Sequence, residues 1–256
     1  MIVLITPTGN RQAQFNLCAH FMRRQTYAGD VTWVIVDDCQ PLTTEGVGVG
    51  FKDNWTIIKV HPTPIWQGQN TQTRNLSAGI DAMLEYHKES EIEAIFMIED
   101  DDYYRPQYLQ RMMDQLKGFK VAGEINTIYY NVHYRNHFTN RNTSHVSLFQ
   151  LAFKPEMIPI FKSCYNERFI DYKFFEKLNA QGLMGGVNLF NESNLAIGIK
   201  GMPGRAGIGA GHGRLMNMTP DPALIYLKSQ IGEDAHLYEG YCNNINATSH
   251  QLFARR

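Results

Sequence analysis

The chain has 256 residues, 43% of them hydrophobic, enough for one large α/β domain or two small ones around a packed core. Its 24 lysines and arginines nearly cancel 25 aspartates and glutamates, so no molecule-wide basic field draws in a polyanion, although a local patch can still bind one. Cys18, Cys39, Cys164 and Cys242 form no CxxC pair and are too sparse for a disulfide scaffold, and neither a basic leader ahead of Ile2 nor an apolar run of membrane-spanning length is present; the expectation is a cytoplasmic protein with free thiols and no membrane partner.

Residues 2–5 are a continuous apolar run, as in a strand buried on both faces, and Thr6-Pro7-Thr8-Gly9-Asn10-Arg11 reads as a polar turn. A helix fits residues 12–25, where Phe15, Cys18, Ala19 and Met22 recur at helical spacing and Arg23 and Arg24 suit the dipole of the last turn. A second apolar strand, 31–36, ends in Asp37-Asp38; a third spans 55–60; a helix covers about 72–86; a fourth strand, 94–98, runs into Glu99-Asp100-Asp101-Asp102. Pro106 is suited to open the helix 107–116 at its first turn. Strands alternating with helices over roughly the first 120 residues predict a Rossmann-like, doubly wound, mainly parallel sheet, whose ligands bind beyond the carboxyl ends of the strands.

The second half, 121–256, is more mixed. Strands are expected at 127–133, 147–153 and 195–199, a helix at 170–179, and a C-terminal helix at 223–228 that can extend to Tyr238. Seven glycines between residues 198 and 213 suit a loop better than a regular element. With no repeat and no linker, one domain of 1–256 is expected, with a first half of 1–120 and a second half after it.

Four consecutive carboxylates after an apolar strand repel one another unless positive charge sits among them, and hard oxygen ligands suit Mg2+ or Mn2+; a solvated acidic turn is the plain alternative. Ile98-Glu99-Asp100-Asp101-Asp102-Tyr103-Tyr104-Arg105-Pro106 resembles the acidic-x-Asp stretch (a DxD-like motif) of GT-A glycosyltransferases, and is similar to that of family 2. Thr6-Pro7-Thr8-Gly9-Asn10-Arg11, Val36-Asp37-Asp38 and Thr73-Arg74-Asn75-Leu76 resemble further donor-side segments of that fold, in the same order over residues 1–116.

The resemblance implies a metal-dependent transferase of the hexosyltransferase class that takes a nucleotide-sugar donor, a UDP-sugar above others. Donor-binding positions would be Thr6, Pro7, Thr8, Asn10, Arg11, Asp37, Asp38, Arg74, Asn75, Glu99 and Asp100. Glu99, where the family usually has Asp, would face the ribose. Asp101, with His212 of the glycine-rich segment, would ligate Mn2+ or Mg2+, and Arg205 and Arg214 would meet the leaving diphosphate or be solvated. Asp171, at the start of a helix resembling the one that carries the family's general base, would take the acceptor hydroxyl's proton in an inverting reaction; Ile170 stands where the family has Glu, and helix capping is the alternative role.

His133, Arg135, His137, Arg141 and His145, interleaved with Tyr134 and Phe138, either form an ordinary polar loop or contact an acceptor, for which a modified base of phage-type DNA is one option. A dinucleotide oxidoreductase is disfavoured because no G-x-G-x-x-G follows the first strand, and a Walker-type phosphotransferase because no G-x-x-x-x-G-K-[ST] occurs. A non-catalytic nucleotide- or sugar-binding module of the same fold is the alternative to an enzyme.

Overall fold

The computed structural model describes residues 1–39, 47–62, 71–192, 194–203 and 217–242. The first half runs β1 (Ile2–Thr8), α1 (Gln12–Arg23), β2 (Val31–Asp37), β3 (Trp55–Val60), α2 (Thr71–Tyr86), β4 (Ala94–Met97), β5 (Tyr103–Tyr104) and α3 (Tyr108–Leu116). The second half continues with β6 (Val121–Glu124), β7 (Asn126–Asn131), β8 (Asn136–Arg141), β9 (Leu151–Phe153), α4 (Ile158–Lys162) and α5 (Ile170–Ala180). It ends with β10 (Val187–Phe190), β11 (Ala196–Lys200), β12 (Thr219–Pro220), α6 (Ile225–Ile231) and α7 (His236–Cys242).

The main sheet has the order β10-β6-β9-β4-β1-β2-β3. Its pairs are parallel except those of β9 with β4 and β6. The apolar run of β1 is buried on both faces because alternate residues serve different cores: Ile2 and Leu4 pack with Phe15, Trp33 and Leu109, whereas Val3 and Ile5 pack with Leu76, Ile80 and Phe174. The chain leaves β1 toward β2 and β3, then returns on the other side of β1 as β4. The order therefore reverses between β1 and β4, the place where such sheets open a crevice beyond their carboxyl ends.

A second sheet, β12-β8-β7-β11-β5, stands beside the first. β7 and β8 form a hairpin whose turn holds Arg135 at φ 48°, with its guanidinium on the Pro222 carbonyl at 2.8 Å. Much of the basic, aromatic segment read from the sequence as loop or acceptor contact is thus strand: Phe138 stacks on Tyr129 and His137 on Tyr226, with ring centroids 5.0 and 3.4 Å apart.

Several boundaries differ from expectation. β1 continues through Thr8, so half of the expected turn is strand. Pro106 precedes α3 rather than opening it; its carbonyl accepts the Thr26 N–H at 2.8 Å and straps the segment to the end of α1. The expected strand 147–153 begins as a 3-10 turn, Leu148–Gln150, before β9. The C-terminal helix is broken at Gly232, whose φ of 60° a right-handed helix does not accept.

Gly79 fixes how closely α2 lies on the sheet. A Cβ there would sit 2.6 Å from Ile5 Cγ2 and 3.1 Å from Val36 Cγ2. Larger side chains force the helix away, and with it Asn75. Gly79→Val is expected to destabilise the fold by about 2 kcal/mol despite valine's better helix propensity, because overpacking outweighs a propensity gain of under ~1 kcal/mol. Urea unfolding tests this; an unchanged midpoint would mean that α2 shifts freely.

Candidate active site

The acidic run leaves β4 at the switch point and meets its counter-charges from two directions. Arg11, between β1 and α1, places Nη1 2.8 Å from Asp100 Oδ1 and Nη2 2.5 Å from Asp101 Oδ2. Lys200, the last residue of β11, lies 2.9 Å from Asp102 Oδ1 and 3.7 Å from Asp101 Oδ2, with the Tyr129 and Phe149 rings 5.9 and 5.7 Å from its Nζ. The Ile199 N–H also donates to Asp102 Oδ1, at 2.9 Å. For both cations burial opposes the charged form, but the neighbouring aspartates outweigh it and hold guanidinium and ammonium more firmly protonated than usual.

Glu99 accepts from Gln72 Nε2 at 2.5 Å, and its backbone N–H donates to the Tyr104 hydroxyl at 2.8 Å. Asp100 accepts the Thr8 hydroxyl at 2.6 Å. Burial pushes Glu99 up to about 7, tempered by Lys200, and Asp100 up to about 6, tempered by Arg11. Burial raises Asp102 well above the ordinary aspartate value too, so the run is relieved by protons as well as by the two cations, and Asp102 Oδ2 is buried with no hydrogen-bond partner among the described residues. Oxygen ligands of this kind suit a hard divalent cation, which would take the place of those protons. Glu99 is partly exposed and Asp101, 6% exposed, is somewhat less enclosed than Asp100 and Asp102. No group of three His, Cys, Asp or Glu among the described residues is arranged to hold a metal by itself, so such an ion would take its remaining ligands from elsewhere.

The other donor-side positions fall around this cluster unequally. Thr8 and Asp37 are register partners at the ends of β1 and β2; the Asp38 N–H donates to the Thr8 carbonyl at 3.2 Å, and Asn75 Nδ2 reaches the same carbonyl at 3.3 Å. Asp37 Oδ1 accepts the Cys39 N–H at 2.9 Å. Asn10 is exposed in a left-handed conformation, φ 53°, and Arg74 is exposed on α2. Thr6 and Pro7 are buried within β1, the Thr6 hydroxyl accepting the Trp33 indole N–H at 2.8 Å. His212, Arg205 and Arg214 lie outside the described residues.

Asp171 sits in the first turn of α5, largely buried. Its carboxylate accepts the Tyr172 N–H at 2.9 Å, and burial raises its pKa above the ordinary aspartate value. It lies near enough to Glu99 and Tyr129 to act on both electrostatically, which brings the helix start and the acidic run together from opposite halves of the chain. A groove of about 990 Å³ lined by Ile92, Met113, Leu116 and Pro155 lies at the amino ends of the strands, remote from these groups.

Sequence reasoning missed Lys200 and Gln72. The signal for Lys200 was a lysine closing an apolar strand, in a chain with an acidic run needing counter-charge. Lys200→Met leaves Asp101 and Asp102 short of a cation and is expected to cost about 3–5 kcal/mol. Adding Asp102→Asn should recover a substantial part, since one of the stranded charges is gone. Chemical denaturation of both single variants and the double variant measures the coupling; additive losses would show that the pair is not a unit.

No protein-family model matches the chain, and no curated protein matches it in sequence. Solved structures do. TarS of S. aureus is similar in its 1–349 form with UDP, at TM-score 0.52 and 13% identity over 77% of this chain and 60% of that one. The UDP-GlcNAc complex of the same form gives 0.53 at 13% identity, over 98% and 74%, and a further 1–349 structure gives 0.51 at 11%, over 77% and 60%. The chain thus spans about 60% of the length of the first of these structures. At such identities the likeness is one of architecture: the chain has a GT-A-like fold.

Proposed function

We propose that this protein transfers a sugar from a nucleotide-sugar donor, a UDP-sugar, to an acceptor hydroxyl. The observation that carries the reading is the placement, at the switch point of a GT-A-like sheet, of the acidic run beside Thr8 and Arg11, with Asp37 and Asn75 at the same strand ends and a partly buried Asp171, held by the Tyr172 N–H, near enough to Glu99 to act on it electrostatically. The UDP and UDP-GlcNAc bound in the similar TarS structures support the donor class.

In this reading Asp37, Asp38 and Glu99 line the nucleoside side, while Arg11 and Lys200 keep the acidic run partly neutral so that a diphosphate can approach it. Asp101, with Glu99 beside it, would hold Mn2+ or Mg2+, which when bound neutralises phosphate charge at the leaving group. Nucleoside diphosphate binding is therefore expected to require the divalent cation, and Asp101→Asn to weaken it strongly. Titration calorimetry with UDP, with and without Mn2+, checks this; equal affinity in chelator would remove the metal from the reading.

Asp171 acts on the acceptor. Burial makes its carboxylate a better proton acceptor than a solvated aspartate, and the Tyr172 N–H fixes its direction. As the hydroxyl oxygen attacks the anomeric carbon and the bond to the diphosphate breaks, the hydroxyl proton passes to Asp171, in one step with inversion. Asp171→Asn is expected to lower kcat by about 100-fold or more with donor affinity nearly unchanged. Steady-state kinetics and NMR of the product's anomeric configuration test it. A retained configuration, or near-normal turnover, would leave Asp171 as a helix-terminus residue; binding without turnover in the wild type would favour a non-catalytic module.

A further inference from the structure

Three positions on one face of α2 meet the strand ends. Gln72, Asn75 and Gly79 stand at i, i+3 and i+7 of the helix. Gly79 seats the helix against Ile5 and Val36, Asn75 Nδ2 reaches the Thr8 carbonyl at 3.3 Å, and Gln72 Nε2 reaches Glu99 Oε1 at 2.5 Å. The start of α2 therefore bridges the exits of β1 and β4, on either side of the switch point.

Gln72 completes a restraint that begins in the backbone. The Glu99 N–H donates to the Tyr104 hydroxyl at 2.8 Å, and that hydroxyl donates back to the Glu99 carbonyl at 3.3 Å. The Tyr104 ring is buried and packs edge-on to Tyr108, centroids 5.0 Å apart, so the hydroxyl is a rigid anchor. Glu99 is thus held by its N–H, its carbonyl and one carboxylate oxygen. Its other oxygen, Oε2, has no hydrogen-bond partner among the described residues, and the residue is partly exposed. An ionised carboxylate oxygen only accepts, and the direction of this one is settled before any ligand arrives.

Its neighbours decide what such an acceptor suits. Asp100 accepts the Thr8 hydroxyl and pairs with Arg11, while Asp101 and Asp102 share Arg11 and Lys200. Both cations of the cluster contact the aspartates, so Glu99 Oε2 calls for an uncharged donor. A hydroxyl supplies one. On the nucleoside side of the crevice, where the donor reading above puts Glu99, the hydroxyls are those of the ribose.

We infer that Gln72 is a positioning residue for the donor: by tying Oε1 of Glu99 it presents Oε2 to a ribose hydroxyl, so that the site selects ribonucleotide over 2′-deoxyribonucleotide donors. The inference rests on the proposed donor reading. Selection follows because a ligand without the hydroxyl leaves a fixed acceptor unpaired, which costs more than the bond is worth. Without Gln72 the carboxylate can turn to water, and the penalty disappears with its direction.

Titration calorimetry in Mn2+ with UDP and 2′-deoxy-UDP tests it on the intact chain. The wild type should bind UDP about tenfold more tightly, the scale of one hydrogen bond to a charged group. Gln72→Met keeps the length of the side chain without its amide. It should weaken UDP about fivefold and leave 2′-deoxy-UDP nearly unchanged, which cuts the preference to about twofold. Retained 2′-deoxy-UDP binding also reports that the variant folds, whereas a merely structural role for Gln72 would weaken both nucleotides alike. Equal affinities in the wild type would give Oε2 to another donor, such as a base N–H, and overturn the inference. So would a Gln72→Met variant that keeps the tenfold preference, that weakens both nucleotides alike, or that needs more Mn2+ without losing the preference, since Glu99 would then serve the ion. Failure of both nucleotides to bind the wild type would remove the donor reading itself, and this inference with it.

Discussion

The arrangement of this molecule turns on keeping four adjacent carboxylates in a nearly dry place. Asp100 and Asp102 are 1% exposed and Asp101 is 6% exposed, conditions in which unpaired charge costs several kcal/mol per group. Arg11 and Lys200 meet that requirement from different sheets. Arg11 follows the first strand of the main sheet, whereas Lys200 ends a central strand of the second, so the acidic run is clamped between them. Removing either cation would strand charge rather than lose one surface ion pair, the opposite of the small effect expected of exposed pairs such as Lys117 with Asp114.

The clamp also explains features distant from it. Tyr103–Tyr104, only two residues long, joins the second sheet through β11, and Arg105 continues the tether by donating from Nε to the Asn194 carbonyl at 2.9 Å and from Nη2 to the Gln230 carbonyl at 2.6 Å. Glu124 adds a buried anchor, accepting the N–H groups of Asn194 and Leu195 at 2.9 and 2.8 Å. Those bonds fix the residues that lead into β11, and hence the height at which Lys200 enters the cluster. Burial raises Glu124 to about 7, so near neutrality it holds these amides at some electrostatic cost.

The first half was legible in the sequence because its signals are local. Strands 31–36 and 55–60 and the helix near 72–86 came from apolar runs and helical spacing, and their ends fell within a residue of those observed. Val121–Glu124, Asn136–Arg141 and Val187–Phe190 were missed for different reasons. Val-Ala-Gly-Glu is short and includes a glycine, which weakens a strand pattern; Asn-His-Phe-Thr-Asn-Arg is polar on both faces and owes its extension to pairing with β7. At the site, the acidic run, Thr8, Arg11, Asn75 and Asp171 could be named from motif order, but the partner of each could not. That Arg11 serves Asp100 and Asp101, and that a lysine 98 residues beyond Asp102 completes the set, depends on which strands become neighbours across two sheets.

Lys200 in turn depends on an absence of bulk. A Cβ at Gly198 would lie 2.6 Å from Tyr129 Cδ1 and 3.2 Å from Phe149 Cζ, so glycine lets both rings press against β11. The rings then flank the Lys200 ammonium, and Tyr129 extends its hydroxyl to Ser147, 2.7 Å away. Ser147 lies one residue before the 3-10 turn Leu148–Gln150 that leads into β9. A path of packed and hydrogen-bonded groups therefore runs from the acidic cluster through Lys200 and Tyr129 to Ser147. Adding a side chain at residue 198 would disturb both the seat of the cation and the bond to Ser147, because Tyr129 serves both.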